Sequence, residues 1–152
     1  RGSAHQGLRE YQAPVEYGRS EIIRKGKKIA VLGVGSMIPS CMEICKGLKD
    51  DGYDPTFVNA RFVKPLDVDL LDELAKDHSL FVTVEENVKS GGYGEHVSAY
   101  MEACHPEIRV LSAAVWDRFV PQGNVESLRS RIGLGVEDIR QAIEDSEELR
   151  EQ

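Results

Sequence analysis

IAVLGVGSMIPSCMEICKGLKDDG, residues 29–52, changes rhythm halfway. It opens as a continuous apolar run closed by glycines, the pattern of a strand covered on both faces. From there Ile38, Cys41, Cys45 and Leu48 recur at spacings of three and four, one stripe of a helix. Ser36 is placed as the helix N-cap, Pro39 in the first turn where its missing N–H matters little, and Gly52 at the exit. A buried strand running straight into an amphipathic helix is half of a βαβ unit, so this stretch predicts a parallel sheet.

The same alternation recurs downstream. PTFVNARFV reads as a strand, followed by a helix from Asp67 with Leu70, Leu71 and Leu74 inward. LFVTVEE is the next strand, GYGEHVSAYMEAC a helix carrying Val97, Tyr100, Met101 and Cys104, and IRVLSAAV the last strand. Two short helical patterns follow, one from Asn124 and one from Val136 with Ile139 and Ile143 on one face. Upstream, a short strand at 21–24 is tied to 29–34 by Lys-Gly-Lys-Lys. So short a link excludes a parallel crossover and predicts antiparallel neighbours. The expected fold is α/β: a three-layer sandwich around a five-stranded mixed sheet, four strands parallel and one antiparallel at the edge. Residues 1–14 are read as a linker or entry arm, 15–145 as the domain, and 146–152 as an acidic tail, the solvated end of a helix.

A chain of 152 residues is one domain, long enough to bury about 70% of its unfolded surface. Its net charge of −7 argues against nucleic acid, whose phosphates need a basic face. No apolar run approaches the ~20 residues that would span a membrane, and no secretory signal is read at the N-terminus. The opening RGSAHQG, without Met, is read as part of something longer. Cys41 and Cys45 share a helix face, but no further ligand follows at zinc-like spacing and no Cys-x-x-Cys occurs. All three cysteines, Cys104 included, are expected as small buried side chains in a reducing cytosol.

Ligands of such sheets bind outside the carboxyl ends of the parallel strands. Three loops lie there: GVGSM at 33–37, EENVKSGGYGEH at 85–96 and VWDRFVPQG at 115–123. GVGSM starts like a dinucleotide fingerprint but lacks its third glycine and the later acidic residue, and is read as a tight strand-to-helix turn. Glu85 and Glu86 are neighbours on a strand and so point to opposite faces, which argues against an acid–base dyad. One is expected in the loop crevice and the other toward solvent or a neighbouring subunit. The main reading is a glutamate that ties down the glycine loop of Gly91, Gly92 and Gly94, with catalysis and an intersubunit contact as competing readings. The N-terminus of the following helix is a natural partner for such a carboxylate. The scattered histidines nominate no triad; His96 is read as a helix-surface residue. Trp116, Asp117 and Arg118 are read either as holding an internal Asp–Arg pair or as a candidate docking cluster, an aromatic beside an arginine.

In order along 14–145, the stretches PVEYGRSEIIRKGKKIAVLGVGSM, VNARFVKPLD, FVTVEENVKSGGYGEHV, DRFVPQG and LRSRIGLGVEDI resemble the C-terminal domain of the transketolase superfamily. Within it, the likeness is to the 1-deoxy-D-xylulose-5-phosphate synthases. The resemblance implies a homodimeric, cytoplasmic transferase that uses thiamine diphosphate and Mg2+ to condense pyruvate with glyceraldehyde 3-phosphate, feeding isoprenoid, thiamine and pyridoxal synthesis. It places cofactor and metal in preceding domains of the same chain, so this part is expected to be inactive alone, to bind no cofactor, and to serve as a structural and dimerisation domain. It also carries a substrate-phosphate role to Arg1, whose Arg-Gly matches the end of a family stretch, although Arg-Gly-Ser is equally an expression-tag remnant. Apolar surface for the dimer is expected around Phe119, Val120 and the glycine loop. Two further readings stand beside this one. One is the last domain of a 2-oxo-acid dehydrogenase E1 β subunit; the other is a free-standing binding module with the 91–123 rim as its partner surface.

Overall fold

The computed structural model describes residues 14–86, 92–115, 131–132 and 135–151. In chain order these are β1 (Glu21–Arg24), β2 (Lys28–Gly33), a 3-10 turn (Gly35–Met37), α1 (Ile38–Asp50), β3 (Thr56–Asn59), α2 (Val68–Ala75), β4 (His78–Glu86), α3 (Tyr93–Cys104), β5 (Arg109–Val115), β6 (Arg131–Ile132) and α4 (Val136–Glu151). The sheet runs β1-β3-β2-β4-β5-β6. β1 is antiparallel to β3, and the other pairings are parallel. All five predicted strands are present, the antiparallel one at an edge. β6 is an addition at the other edge, two residues too short to carry a period of their own.

Period-two alternation divides the core into two layers. Ile29, Val31, Leu80, Val82 and Val84 face α1 and α4, while Ala30, Leu32, Val58 and Phe81 face α2 and α3. The stripe Ile38, Cys41, Cys45 and Leu48 is buried, joined by Ile44. On α2, Leu71 and Leu74 are fully inward and Leu70 only partly so. Asp67 caps that helix, its Oδ1 accepting from Leu70 N at 3.2 Å. Between the layers His78 is buried, with Nδ1 2.9 Å from the Leu74 carbonyl and Nε2 2.6 Å from Thr56 Oγ1. Its polar atoms are engaged locally, as burial requires.

Four expectations need correction. β1 and β2 are antiparallel but not neighbours, because β3 lies between them. The link is long enough to step across one strand, about 10 Å of sheet. It passes against the start of β3, with Lys27 N donating to Asp54 O at 2.7 Å and Gly26 N to Thr56 Oγ1 at 2.9 Å. A Cβ on Gly26 would fall 2.1 Å from the Asp54 carbonyl oxygen, so only glycine fits under the strand.

Ser36 does not cap α1. It sits inside the 3-10 turn; the capping position is Met37, which makes no side-chain bond. Cys104 is exposed rather than inward, because the stripe of α3 outlasts the surface it packs on. Its last turn is fixed by Tyr100 Oη and His105 Nε2, each 2.7 Å from Asp72 Oδ1 on α2. Finally, the segment from residue 146 is more than a solvated end: it stays helical to Glu151. Glu147 is buried there and accepts from Arg109 Nη2 at 2.6 Å.

Candidate functional site

Strand parity settles the two acids. Glu85 is in phase with Phe81 and points to the α3 side, and Glu86 is in phase with Val84 and points to the α1 side. Glu85 Oε1 accepts from Tyr93 N at 2.8 Å and its Oε2 from Gly94 N at 2.7 Å. Both are orphan donors of the first turn of α3, where the helix dipole also favours a negative charge. Glu86 is exposed and accepts from Ser36 Oγ in the turn before α1. Glu85 therefore braces the start of α3 while Glu86 bonds the turn before α1, and the two share no proton.

The glycines in this region have separate tasks. A Cβ on Gly94 would lie 2.6 Å from Thr83 Oγ1 and 2.9 Å from both Glu85 Oε2 and Ser112 Oγ. The missing side chain lets α3 settle directly on β4 and β5. Thr83 Oγ1 is buried there without a hydrogen-bond partner, so the packing against Gly94 comes at the expense of one polar group. Gly92 occupies the N-cap position in extended geometry. In GVGSM, a Cβ on Gly33 would meet Cys41 Sγ at 2.6 Å, and Gly35 has φ +58°. These glycines serve close strand–helix packing and a left-handed turn.

Both Glu85 oxygens accept backbone N–H groups, which hold the carboxylate against the first turn of α3. His96 lies half-buried on α3. Burial pushes the Tyr93 phenol well above its ordinary range, so it stays neutral. Among the described residues no group of three or more His, Cys, Asp or Glu is placed to hold a metal ion. Arg1, Gly91, Trp116, Asp117, Arg118, Phe119, Val120 and the helical pattern from Asn124 lie outside the described residues.

A second polar constellation went unread in the sequence. After β3 the chain makes a γ-turn: Phe62 N donates to Ala60 O at 2.6 Å around Arg61, whose φ is +63°. Asn59 Oδ1 accepts from Arg61 N at 3.1 Å. The Arg61 guanidinium donates to Pro14 O at 3.2 Å and to Glu21 Oε1 at 2.7 Å, with both side chains about a tenth exposed. Asn59 was the available signal, since Asx residues bond their own backbone two residues on.

This helix-start geometry, on a parallel sheet with one antiparallel edge strand, comes with a specific likeness. The model of the transketolase C-terminal domain matches residues 18–139. The chain belongs to that family. It is 38% identical to the 1-deoxy-D-xylulose-5-phosphate synthase of Lachnoclostridium phytofermentans over 91% of this chain and 22% of that protein. The same enzyme of Dictyoglomus thermophilum is 39% identical over 90% of this chain and 22% of that protein. The chain thus spans about a fifth of the curated relatives it matches. Among solved structures, a split-gene transketolase described as an inactive β4 tetramer superposes with a TM-score of 0.71 at 29% identity, covering 88% of this chain and 43% of that one. A 2-oxoglutarate:ferredoxin oxidoreductase from Magnetococcus marinus shares the fold alone, at 14% identity and TM-score 0.53 over 84% of this chain and 19% of that one.

Proposed function

We propose that this transketolase C-terminal domain is the structural lobe of a 1-deoxy-D-xylulose-5-phosphate synthase. The observation that carries the reading is a likeness of 38–39% identity over nine-tenths of the chain to enzymes of that name. The whole polypeptide would be a cytoplasmic, homodimeric transferase joining pyruvate to glyceraldehyde 3-phosphate, upstream of isoprenoid, thiamine and pyridoxal synthesis. Thiamine diphosphate and Mg2+ belong, in this proposal, to the preceding domains. Consistent with a lobe that needs partners, the split-gene transketolase with the same fold is described as an inactive β4 tetramer.

In this role Glu85 is a positioning residue. It clamps the first turn of α3 against the end of β4. Arg1 is proposed to help hold the aldehyde's phosphate, for which a guanidinium offers bidentate donors.

The test is turnover of pyruvate with glyceraldehyde 3-phosphate by the longer polypeptide and by these 152 residues alone. Activity in the first and none in the second is expected. Turnover by the short chain, or none by the long one with thiamine diphosphate and Mg2+ supplied, overturns the proposal. Arg1→Ala in the long chain is expected to raise the aldehyde KM with pyruvate kinetics unchanged.

A further inference from the structure

The exposed large hydrophobic residues among those described are Val15, 70% exposed, Tyr17, 80% exposed, and Ile22, 37% exposed. All three fall within residues 15–22, at the chain's entry and on the edge strand β1. The Tyr17 ring stands edge-on to Phe62, 5.6 Å between centroids. One exposed apolar side chain needs no explanation, but a confined group on one segment does.

That segment is not a loose arm. Pro14 O is held by Arg61. Ser20 N donates to Asp67 Oδ2 at 2.7 Å, and Ser20 Oγ to Ala60 O at 3.0 Å. Arg19 donates to Asp67 at 3.2 Å and to Asp69 at 2.7 Å. Arg19 N closes a turn on Glu16 O at 3.0 Å. Bonds on either side of Val15 and Tyr17 therefore present both to solvent in a fixed pose. An apolar, aromatic centre with an arginine–carboxylate rim has the composition of a protein contact whose ordering cost is already met.

We infer that Val15 and Tyr17, the latter backed by Phe62, form the face on which the preceding domain of the longer polypeptide seats. The inference rests on the proposed function and names the partner surface within it. Three observations favour that occupant over others. The matched family is a C-terminal domain, and the synthase relatives are nearly five times as long as their matched part, so polypeptide precedes this point in them. The face lies on the first described segment, next to where such polypeptide would enter. Tethering would also place that partner at an effective concentration in the millimolar range, so a face this small suffices.

The experiment is hydroxyl-radical footprinting of the full-length polypeptide, unmodified, at several protein concentrations. Tyr17 is expected to oxidise about tenfold more slowly than an open tyrosine, at every concentration, as for a side chain in a desolvated contact centre. Protection that follows the association of copies, growing with concentration or lost when dilution splits the dimer, makes the occupant a second copy and overturns the inference. Oxidation of Tyr17 at the rate of an open tyrosine overturns it as well. Val15→Asp with Tyr17→Asp, both exposed and so tolerated by the fold, is expected to split one cooperative thermal transition into two; a single unchanged transition counts against the inference. Turnover is assayed on the same sample. An active enzyme with unprotected Tyr17 removes only this inference, and a protected Tyr17 without turnover removes only the proposed reaction.

Discussion

Two helices begin at the carboxyl ends of adjacent strands, on opposite faces of the sheet, and they are held in opposite ways. α3 is held at its tip: Glu85, from the neighbouring strand, takes two N–H groups of its first turn. α1 has no side-chain cap and enters through a 3-10 turn; it is held along its side by Ile38, Cys41, Ile44, Cys45 and Leu48. The serine that could have capped it bonds Glu86 instead. A helix start can thus be fixed by a distant carboxylate or left to its packing face, and the local sequence signal for a cap does not tell which.

The comparison breaks most visibly at Gly94. Gly94→Val drives carbon into Thr83, Glu85 and Ser112 and is expected to cost about 3 kcal/mol, the upper end for overpacking. Gly35→Ala, in open space but at φ +58°, should cost only about 1 kcal/mol. Equal urea midpoints for the two variants would deny α3 its special seat. Next comes the clamp itself. Glu85→Ala is expected to lose about 2 kcal/mol, the scale for hydrogen bonds to a charged group. Glu85→Gln keeps one acceptor and should lose less, read from midpoints at unchanged m.

The side of α1 can be probed with alkali. Burial pushes the Cys45 thiol from 9.0 up to about 12, and pushes Cys41 in the same direction. Between those limits the unfolded chain has released protons that the folded chain still holds, so stability falls as pH rises from about 9 to 12 and is whole below that window. The expected slope is about 1 kcal/mol per pH unit for Cys45. The difference between wild type and Cys45→Val should carry it; no difference would mean the thiols are not in the stripe's interior. The smallest effect is expected from Glu86→Gln, whose exposed bond to Ser36 should matter by less than about 0.5 kcal/mol. A loss as large as that of Glu85→Ala would show that both helices are held at their tips.

Much of this was legible in the letters. Strand and helix periods gave the α/β sandwich, and parity alone separated Glu85 from Glu86. Phe81 in the other layer from Val82 even indicates which acid faces α3, once the helix on each face is known. What resisted reading was what depends on the third dimension. Ser36 has a capping residue's chemistry, but one residue of 3-10 geometry moved it out of position. Cys104 keeps the helical spacing, yet it is exposed at the end of α3. Glu147 sits in an acidic run that looks solvated, and only the fold brings Arg109 to it. The Arg61–Glu21 pair joins residues forty apart whose meeting no local pattern announces.

The strand that slips between β1 and β2 has a consequence for how the sheet is completed. During synthesis the first two strands leave an empty lane, and β1 has nothing to pair with until residues 56–59 arrive to fill it. Closing so wide a gap is slow compared with zipping a hairpin. β1 is therefore a latecomer despite its early place in the chain, and its amide exchange should report the docking of β3 rather than any stability of its own.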